Sequence, residues 1–350
     1  MSTLAGVHAV LPPHRYTQAE LTEALAEVCL GPDGNRALLA RLHGNSDVSY
    51  RHTVLPLEQY ATLTGFGESN DLFIAHAVQL GAAALTGALE RAGIAPDELD
   101  VVISTTVTGV AVPSIEARIA QTVGLRSDVK RIPLFGLGCV AGAAGIALLH
   151  DYLIGRPDHT AALISVELCS LTLQRDDQSV ANMVASGLFG DGAAAVVAVG
   201  ANRSESGPRV IDSRSHLYPD TERIMGWDVG ANGLKIVLDA QVPDIVQQYL
   251  GDDIRSFLGT HSLRAEDIGT WVSHTGGPKV IDSIEAVLGL GGNPLEFTRR
   301  SLDQVGNLSS SSVLHVLRDT LDRGSPKAGS PGVLMAMGPG FCSELVLLEW

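Results

Sequence analysis

A chain of 350 residues that is 45% hydrophobic and 18% charged, with 38 glycines, has the composition of a globular protein built on buried sheet, far from that of a disordered chain. Its length allows two domain-sized halves or one large fused unit. A net charge of −15 offers no general attraction for nucleic acid or an anionic membrane, so neither is an expected partner, and an anionic substrate must meet a local basic patch.

Met1 to Tyr16 has no basic segment followed by an apolar core, so no signal peptide is expected. The first clear element is a small-residue helix over Ala75–Ala92, followed by a buried strand over Val101–Thr106. Ile132 to Leu149 carries no charge and approaches the length of a membrane span, but Pro133 and glycines 136, 138, 142 and 145 divide it into a loop and a helix. That helix, Cys139–Leu153, is so rich in Ala and Gly that burial on all sides is predicted. Strands follow at Ala161–Val166 and Ala193–Val199, then a polar, turn-rich segment, Asn202–Gly233, predicted to carry the crossover between halves. The second half reads as helix Asp244–Leu258, strand Thr270–Ser273, helix Pro278–Leu288, helix Leu308–Leu321 and strand Glu344–Leu348. Alternating strands and helices argue for α/β layers.

The chain also carries a faint duplication. Gly93-Ile-Ala-Pro-Asp-Glu-Leu-Asp100 leads into Val101-Val-Ile-Ser-Thr-Thr106, as Ser262-Leu-Arg-Ala-Glu-Asp-Ile-Gly269 leads into Thr270-Trp-Val-Ser-His274. Leu99 and Ile268 are 169 residues apart; Gly138-Cys139 and Gly306-Asn307 are 168 apart. Near-equal offsets predict two similar halves, residues 1–200 and 201–350.

Four cysteines, Cys29, Cys139, Cys169 and Cys342, show neither a C-x-x-C pair nor zinc-type spacing, which fits a reducing cytoplasm and no metal site. Cys139 sits in Gly136-Leu-Gly-Cys-Val-Ala-Gly142, where a strand-like segment turns into a helix. A helix N-terminus favours the thiolate, so the residues leave Cys139 open between nucleophile and buried structural cysteine. Gly136-x-Gly138-x-x-Ala141 also satisfies a dinucleotide pattern, but the nearest suitable acidic residue, Glu167, lies too far along. His274 ends its strand beside the turn Thr275-Gly276-Gly277-Pro278, facing a cleft, while Asn307, at an expected helix start, reads on its own as a simple N-cap. The duplication places Cys139 and Asn307 at equivalent helix starts and His274 at the end of the strand equivalent to Val101–Thr105, so a pseudo-twofold fold would converge them on one site.

Gly124-Leu-Arg-Ser-Asp-Val-Lys-Arg131 and Gly138-Cys-Val-Ala-Gly142 resemble the nucleophile region of chalcone synthase-like type III polyketide synthases. Leu188-Phe-Gly-Asp-Gly-Ala-Ala-Ala195, His274-Thr-Gly-Gly-Pro-Lys279, Gly306-Asn-Leu-Ser-Ser310 and Met337-Gly-Pro-Gly340 extend the likeness in order from about residue 40 to the C-terminus. The resemblance implies a thiolase-like αβαβα layered fold with two pseudo-duplicated halves, an obligate homodimer, acyltransferase activity and no cofactor beyond CoA thioester substrates. It implies that Cys139 carries the acyl chain as a thioester, that His274 supports the Cys139 thiolate, and that His274 and Asn307 stabilise the enolate left by decarboxylation of malonyl-CoA. It likewise implies that Phe189 gates the cavity, that Thr108, Cys169, Ile236, Val112, Ser309 and the loop Gly338, Pro339 and Gly340 contact substrate, and that Arg41 meets CoA phosphate.

Departures from the family pattern accompany the likeness. Leu38 and Asn45 stand at two other CoA-contact positions; Ile236 replaces a second gating phenylalanine; Val112 replaces a methionine that reaches across the dimer; Cys169 replaces a threonine. Room for a flexible aliphatic chain follows, and with it the expectation of a fatty acyl-CoA starter extended with malonyl-CoA to an alkylpyrone or alkylresorcinol. The alternatives are a naphthol synthase using malonyl-CoA alone, a β-ketoacyl-carrier-protein synthase III and, from a different class, an NAD(P)-dependent oxidoreductase.

Overall fold

The computed structural model describes residues 1–30, 34–175 and 177–350. Nine segments pair into one sheet: β1 (Ser2–Val10), β2 (Val101–Thr105), β3 (Lys130–Leu134), β4 (Thr160–Leu168), β5 (Asp191–Gly200), β6 (Arg209–Leu217), β7 (Thr270–Ser273), β8 (Pro331–Gly338) and β9 (Cys342–Glu349), in the order β7-β8-β9-β6-β1-β5-β4-β2-β3. The order is nearly a palindrome. Outward from the centre, β1, β5, β4 and β2 match β6, β9, β8 and β7, with two antiparallel pairings and then a parallel one on each side. Only β3 has no counterpart. Within the sheet, among the described residues, the two halves are joined by the short β1–β6 pairing, Ser2↔Val210 and Thr3↔Arg209.

Side-chain alternation converts this sheet into layers. On β4, Ala161 and Leu163 face the same core as Val272, Leu334 and Val346 of the other half, while Ala162 and Ile164 face away from it. Two helices fill the shared core: α2 (Ala141–Ile154) and α5 (Ser312–Arg323). Helix α1 (Phe66–Ala92) covers the outer face of the first half through Phe73, Ala77, Leu85 and Ala88. Helices α3 (Val242–Thr260) and α4 (Pro278–Leu288) cover the second through Val246, Leu250, Ile281 and Ile284. The result is the layered α/β arrangement expected from the resemblance.

Glycine sets the spacing of the middle layer. A Cβ at Gly142 would lie 2.3 Å from the Ser310 carbonyl oxygen and 2.6 Å from Val313 Cγ1, so the two central helices touch where only glycine fits.

Several boundaries differ from expectation. The helix expected from Ala75 begins at Phe66, nine residues earlier than its periodicity indicated. By length and composition it could cross a membrane, yet here it lies against β1, β5 and β4 as a core helix. Cys139 is not inside a helix but in a 3-10 turn, Gly138–Val140, with α2 starting at Ala141. Likewise the helix drawn from Leu308 is a 3-10 turn, Ser309–Ser311, running into α5. Asn202–Gly233 is no plain crossover: it supplies β6 and the strand Met225–Gly230, which pairs with Gly233–Leu238 as a hairpin.

Candidate active site

Cys139 is buried at the entrance to α2, and among the described residues its sulfur has one polar side chain within hydrogen-bond reach, the Ser309 hydroxyl at 3.8 Å. Burial pushes the thiol up to about 12, with the nearby Glu167 charge adding to the rise and the Ser309 hydroxyl only partly offsetting it. The loop after β8 lies directly on this turn. A Cβ at Gly138 would be 2.6 Å from Pro339 Cδ, and one at Gly338 would be 2.6 Å from the Val140 nitrogen.

His274 follows β7 and extends its pairing, its backbone N–H donating to the Met335 carbonyl at 3.0 Å. It is buried, and burial lowers it to about 3, so the imidazole is neutral. Asn307 stands on an isolated bridge to Phe189, with its N–H donating to the Leu188 carbonyl and its own carbonyl accepting from Gly190, both at 2.9 Å. Its side-chain oxygen accepts from the Ser309 N–H at 2.8 Å and the Ser312 hydroxyl at 3.4 Å. Those donors fix the amide's orientation and turn its NH2 toward His274 Nε2, 3.5 Å away. That distance is long for a hydrogen bond and suits two donors converging on one oxygen. Such a pair can stabilise a developing oxyanion. The Nδ1 of His274 has no partner among the described residues.

Cys139, Gly138, Phe189, Thr108, Cys169, Ile236, Ser309 and Pro339 line one cavity of about 240 Å³. His274 and Asn307 do not line it. His274 borders a small space of about 20 Å³ whose wall shares Met225 with the larger cavity. Asn307 connects to Cys139 through Ser309. Of the loop residues expected to touch substrate, Gly338 and Gly340 lie outside the lining, and Gly338 serves close packing instead. Val112 is 89% exposed and absent from its own chain's cavity. Arg41 lies exposed on the helix Arg36–Gly44, outside the cavity wall. Among the described residues no three His, Cys, Asp or Glu side chains gather as a metal site would require.

Sequence reasoning missed much of the polar framework. Glu167 is fully buried on β4, where it accepts from the Val107 N–H at 3.1 Å, the Thr108 hydroxyl at 2.9 Å, the Thr106 hydroxyl at 3.3 Å and the Ser310 hydroxyl. A lone acid inside the apolar run Ala161–Leu168 was its available signal. Asp191 accepts from the Ser170 N–H and hydroxyl and from the Val54 N–H, and burial raises it to about 6. Trp227 and Arg51 also line the cavity.

Comparison with known proteins agrees along the whole chain. Residues 2–203 match the family model for the chalcone and stilbene synthases, N-terminal domain, and residues 210–349 match that for the C-terminal domain. The chain is 54% identical to a 1,3,6,8-tetrahydroxynaphthalene synthase of Streptomyces peucetius subsp. caesius, over 100% of this chain and 93% of the relative. It is 31% identical to a phloroglucinol synthase of Pseudomonas fluorescens, over 100% and 99% respectively. Its fold superimposes with a TM-score of 0.93 on the crystal structure of 1,3,6,8-tetrahydroxynaphthalene synthase from Streptomyces coelicolor A3(2), a bacterial type III polyketide synthase. The sequence identity in that pair is 33%, with 99% of each chain covered.

Proposed function

The chain belongs to the chalcone and stilbene synthase family as a type III polyketide synthase, an acyltransferase, and from that premise we propose that it uses malonyl-CoA alone, as both starter and extender, to build a polyhydroxylated naphthalene. The observation that carries this reading is the 54% identity, along the whole chain, to a tetrahydroxynaphthalene synthase. The cavity supports it. At about 240 Å³ it is smaller than the ~300–1,000 Å³ usual for ligand sites and has room for a compact product. Beyond Tyr60, Ser170 and Thr172 lies a second cavity of about 410 Å³, whose wall includes Thr64, Ser69, Asn70, Gln174, Arg175 and Asn232. That wall also carries Leu63, Phe66, Leu171 and Leu234, so a long alkyl tail outgrowing the first space would meet a mixed surface, less favourable to it than a purely apolar one. A fatty acyl starter rested on Val112, Ile236 and Cys169; Ile236 and Cys169 line this cavity, and Val112 stands at the position that reaches across a dimer.

In the proposed reaction the Cys139 sulfur forms a thioester with the incoming acyl group, the bond from that group to CoA breaks, and the cysteine's proton leaves on the CoA thiol. A second malonyl thioester then loses carbon dioxide. Nε2–H of His274 and the Asn307 NH2 stabilise the enolate oxygen, and the enolate carbon attacks the Cys139 thioester. The carbon–carbon bond forms, the acyl carbon–sulfur bond breaks, the lengthened chain stays on CoA, and the Cys139 thiolate is released to take that chain back by thioester exchange. Neutral donors suit this step because the electron pair comes from the broken carbon–carboxylate bond and no base is needed. The protein acts as a homodimer in this reading. Val110, Val112 and Phe135 are exposed apolar side chains, and β3 has a free outer edge.

The test is to supply purified protein with malonyl-CoA as sole thioester, alongside a Cys139→Ala variant, and to identify products by mass spectrometry. An aromatic pentaketide from wild type and none from the variant is expected. Product only when an alkanoyl-CoA is added would overturn the starter assignment.

A further inference from the structure

Arg51 is the one basic side chain in the wall of the cavity that holds Cys139, among the described residues. It comes from the short strand Tyr50–Thr53 and is 3% exposed. Its Nε and Nη2 donate to Gln18 Oε1 at 3.2 and 2.9 Å, and its Nη1 donates to the Phe189 carbonyl at 2.8 Å. Both acceptors are neutral. No ion pair to Arg51 occurs among the described residues; Asp191 acts on it only through its field, both carboxylate oxygens being taken by Ser170 and Val54.

A guanidinium carries five N–H donors, and these bonds use three. Buried cations ordinarily face an anion, and the remaining lining is chiefly apolar, including Leu21, Leu57 and Val229. Burial lowers Arg51 only to about 10, so it stays charged at neutral pH. The side chain is also held rigidly. A Cβ at Gly306 would lie 3.1 Å from its Cγ and Cδ, so its stem packs on the segment that presents Asn307.

The geometry points to Arg51 as the group that binds the carboxylate of a malonyl thioester in this cavity and thereby selects a malonyl over an alkanoyl starter. The inference rests on the malonyl-only reading above and supplies its specificity determinant. Gln18 orients the fork, leaving one free N–H on each terminal nitrogen for a carboxylate. An alkanoyl group offers that fork nothing.

Single-turnover acylation of Cys139, followed by intact mass, tests this with malonyl-CoA, its neutral carboxamide analogue and hexanoyl-CoA, each supplied alone. Wild type should load malonyl-CoA about 10- to 100-fold faster than the carboxamide, as expected for a hydrogen bond to a charged group. In Arg51→Gln that preference should collapse while hexanoyl loading persists. Wild type loading both malonyl compounds equally fast would overturn the inference whatever the variants do. So would an Arg51→Gln protein slowed equally toward all three, the mark of a clamp that only supports Phe189. Should Arg51→Gln fail to fold, Arg51→Lys decides, since it keeps the charge and loses the fork: a reduced carboxylate preference supports the inference, an unchanged one overturns it. Failure of the malonyl-only reading shows separately, as wild type making no product from malonyl-CoA alone.

Discussion

The entrances to the two central helices occupy matching places in a duplicated scaffold and have opposite characters. At the start of α2, Cys139 has one polar side chain beside it and otherwise sits against an apolar cavity. At the start of α5, four consecutive serines each engage a different group. Ser309 meets the Cys139 thiol, Ser310 donates to Glu167, Ser311 donates to the Ser165 carbonyl and Ser312 donates to Asn307. One end removes water from a nucleophile; the other assembles oriented dipoles. Burial pushes the thiol up to about 12 and His274 down to about 3, so desolvation favours the neutral form of each. Fixed dipoles act most strongly on charge that develops in such a water-excluded place.

The hardest blow to this division is struck at the polar end. Asn307→Ala removes a donor from the pair facing the proposed enolate and leaves the Ser309 N–H without its acceptor. Decarboxylation of malonyl-CoA should slow by about 10²–10³ in kcat, read as carbon dioxide release. Loading of Cys139, followed by intact mass, should change far less. Equal losses in both steps would mean that the two entrances are not specialised as described.

A smaller effect tests the contact between them. Gly142→Ala places a methyl 2.3 Å from the Ser310 carbonyl oxygen, and the backbone on that side cannot swing away as a flexible side chain could. Overpacking of this kind costs about 1–3 kcal/mol, measurable as a lower urea midpoint. Gly44→Ala is the control. It ends the helix Arg36–Gly44, has nothing within 4 Å and no positive φ, and should be neutral or slightly stabilising.

How much of this was legible beforehand depended on whether a feature was local. Cys139 announced itself through its glycine turn and the Ala/Gly helix behind it. His274 did so through a strand ending in Thr-Gly-Gly-Pro, and Asn307 only through the repeat. The repeat was itself imperfect: α2 and α5 begin 171 residues apart, so Asn307 lies ahead of its helix by more than Cys139 does. Arg51 could not be seen, because Tyr50-Arg-His-Thr53 reads as surface until Gln18 and the Phe189 carbonyl, distant in sequence, close over it. Val112, placed by the resemblance at a position that reaches across a dimer, is exposed on the single chain.

The finest distinction concerns acid. The central layer buries a histidine on each helix, His150 on α2 beside the Ser2 hydroxyl at 2.9 Å and His315 on α5 beside the Ala193 carbonyl at 3.1 Å. Burial lowers His315 to about 3, helped by the charges of Arg318, His52 and His8. Below its unfolded value near 6.5, the unfolded chain takes up a proton that the native chain refuses. Stability that is fully present above that pH is therefore lost as pH falls toward 3, by up to ~1.4 kcal/mol per pH unit for the one group. A neutral amide can keep a hydrogen bond to the Ala193 carbonyl and cannot titrate. His315→Gln should accordingly flatten the fall in urea midpoint between pH 7 and pH 4 while changing the midpoint at pH 7 much less. If the two proteins lose stability in parallel, the acid sensitivity of the middle layer lies elsewhere, with His150 the next position to change.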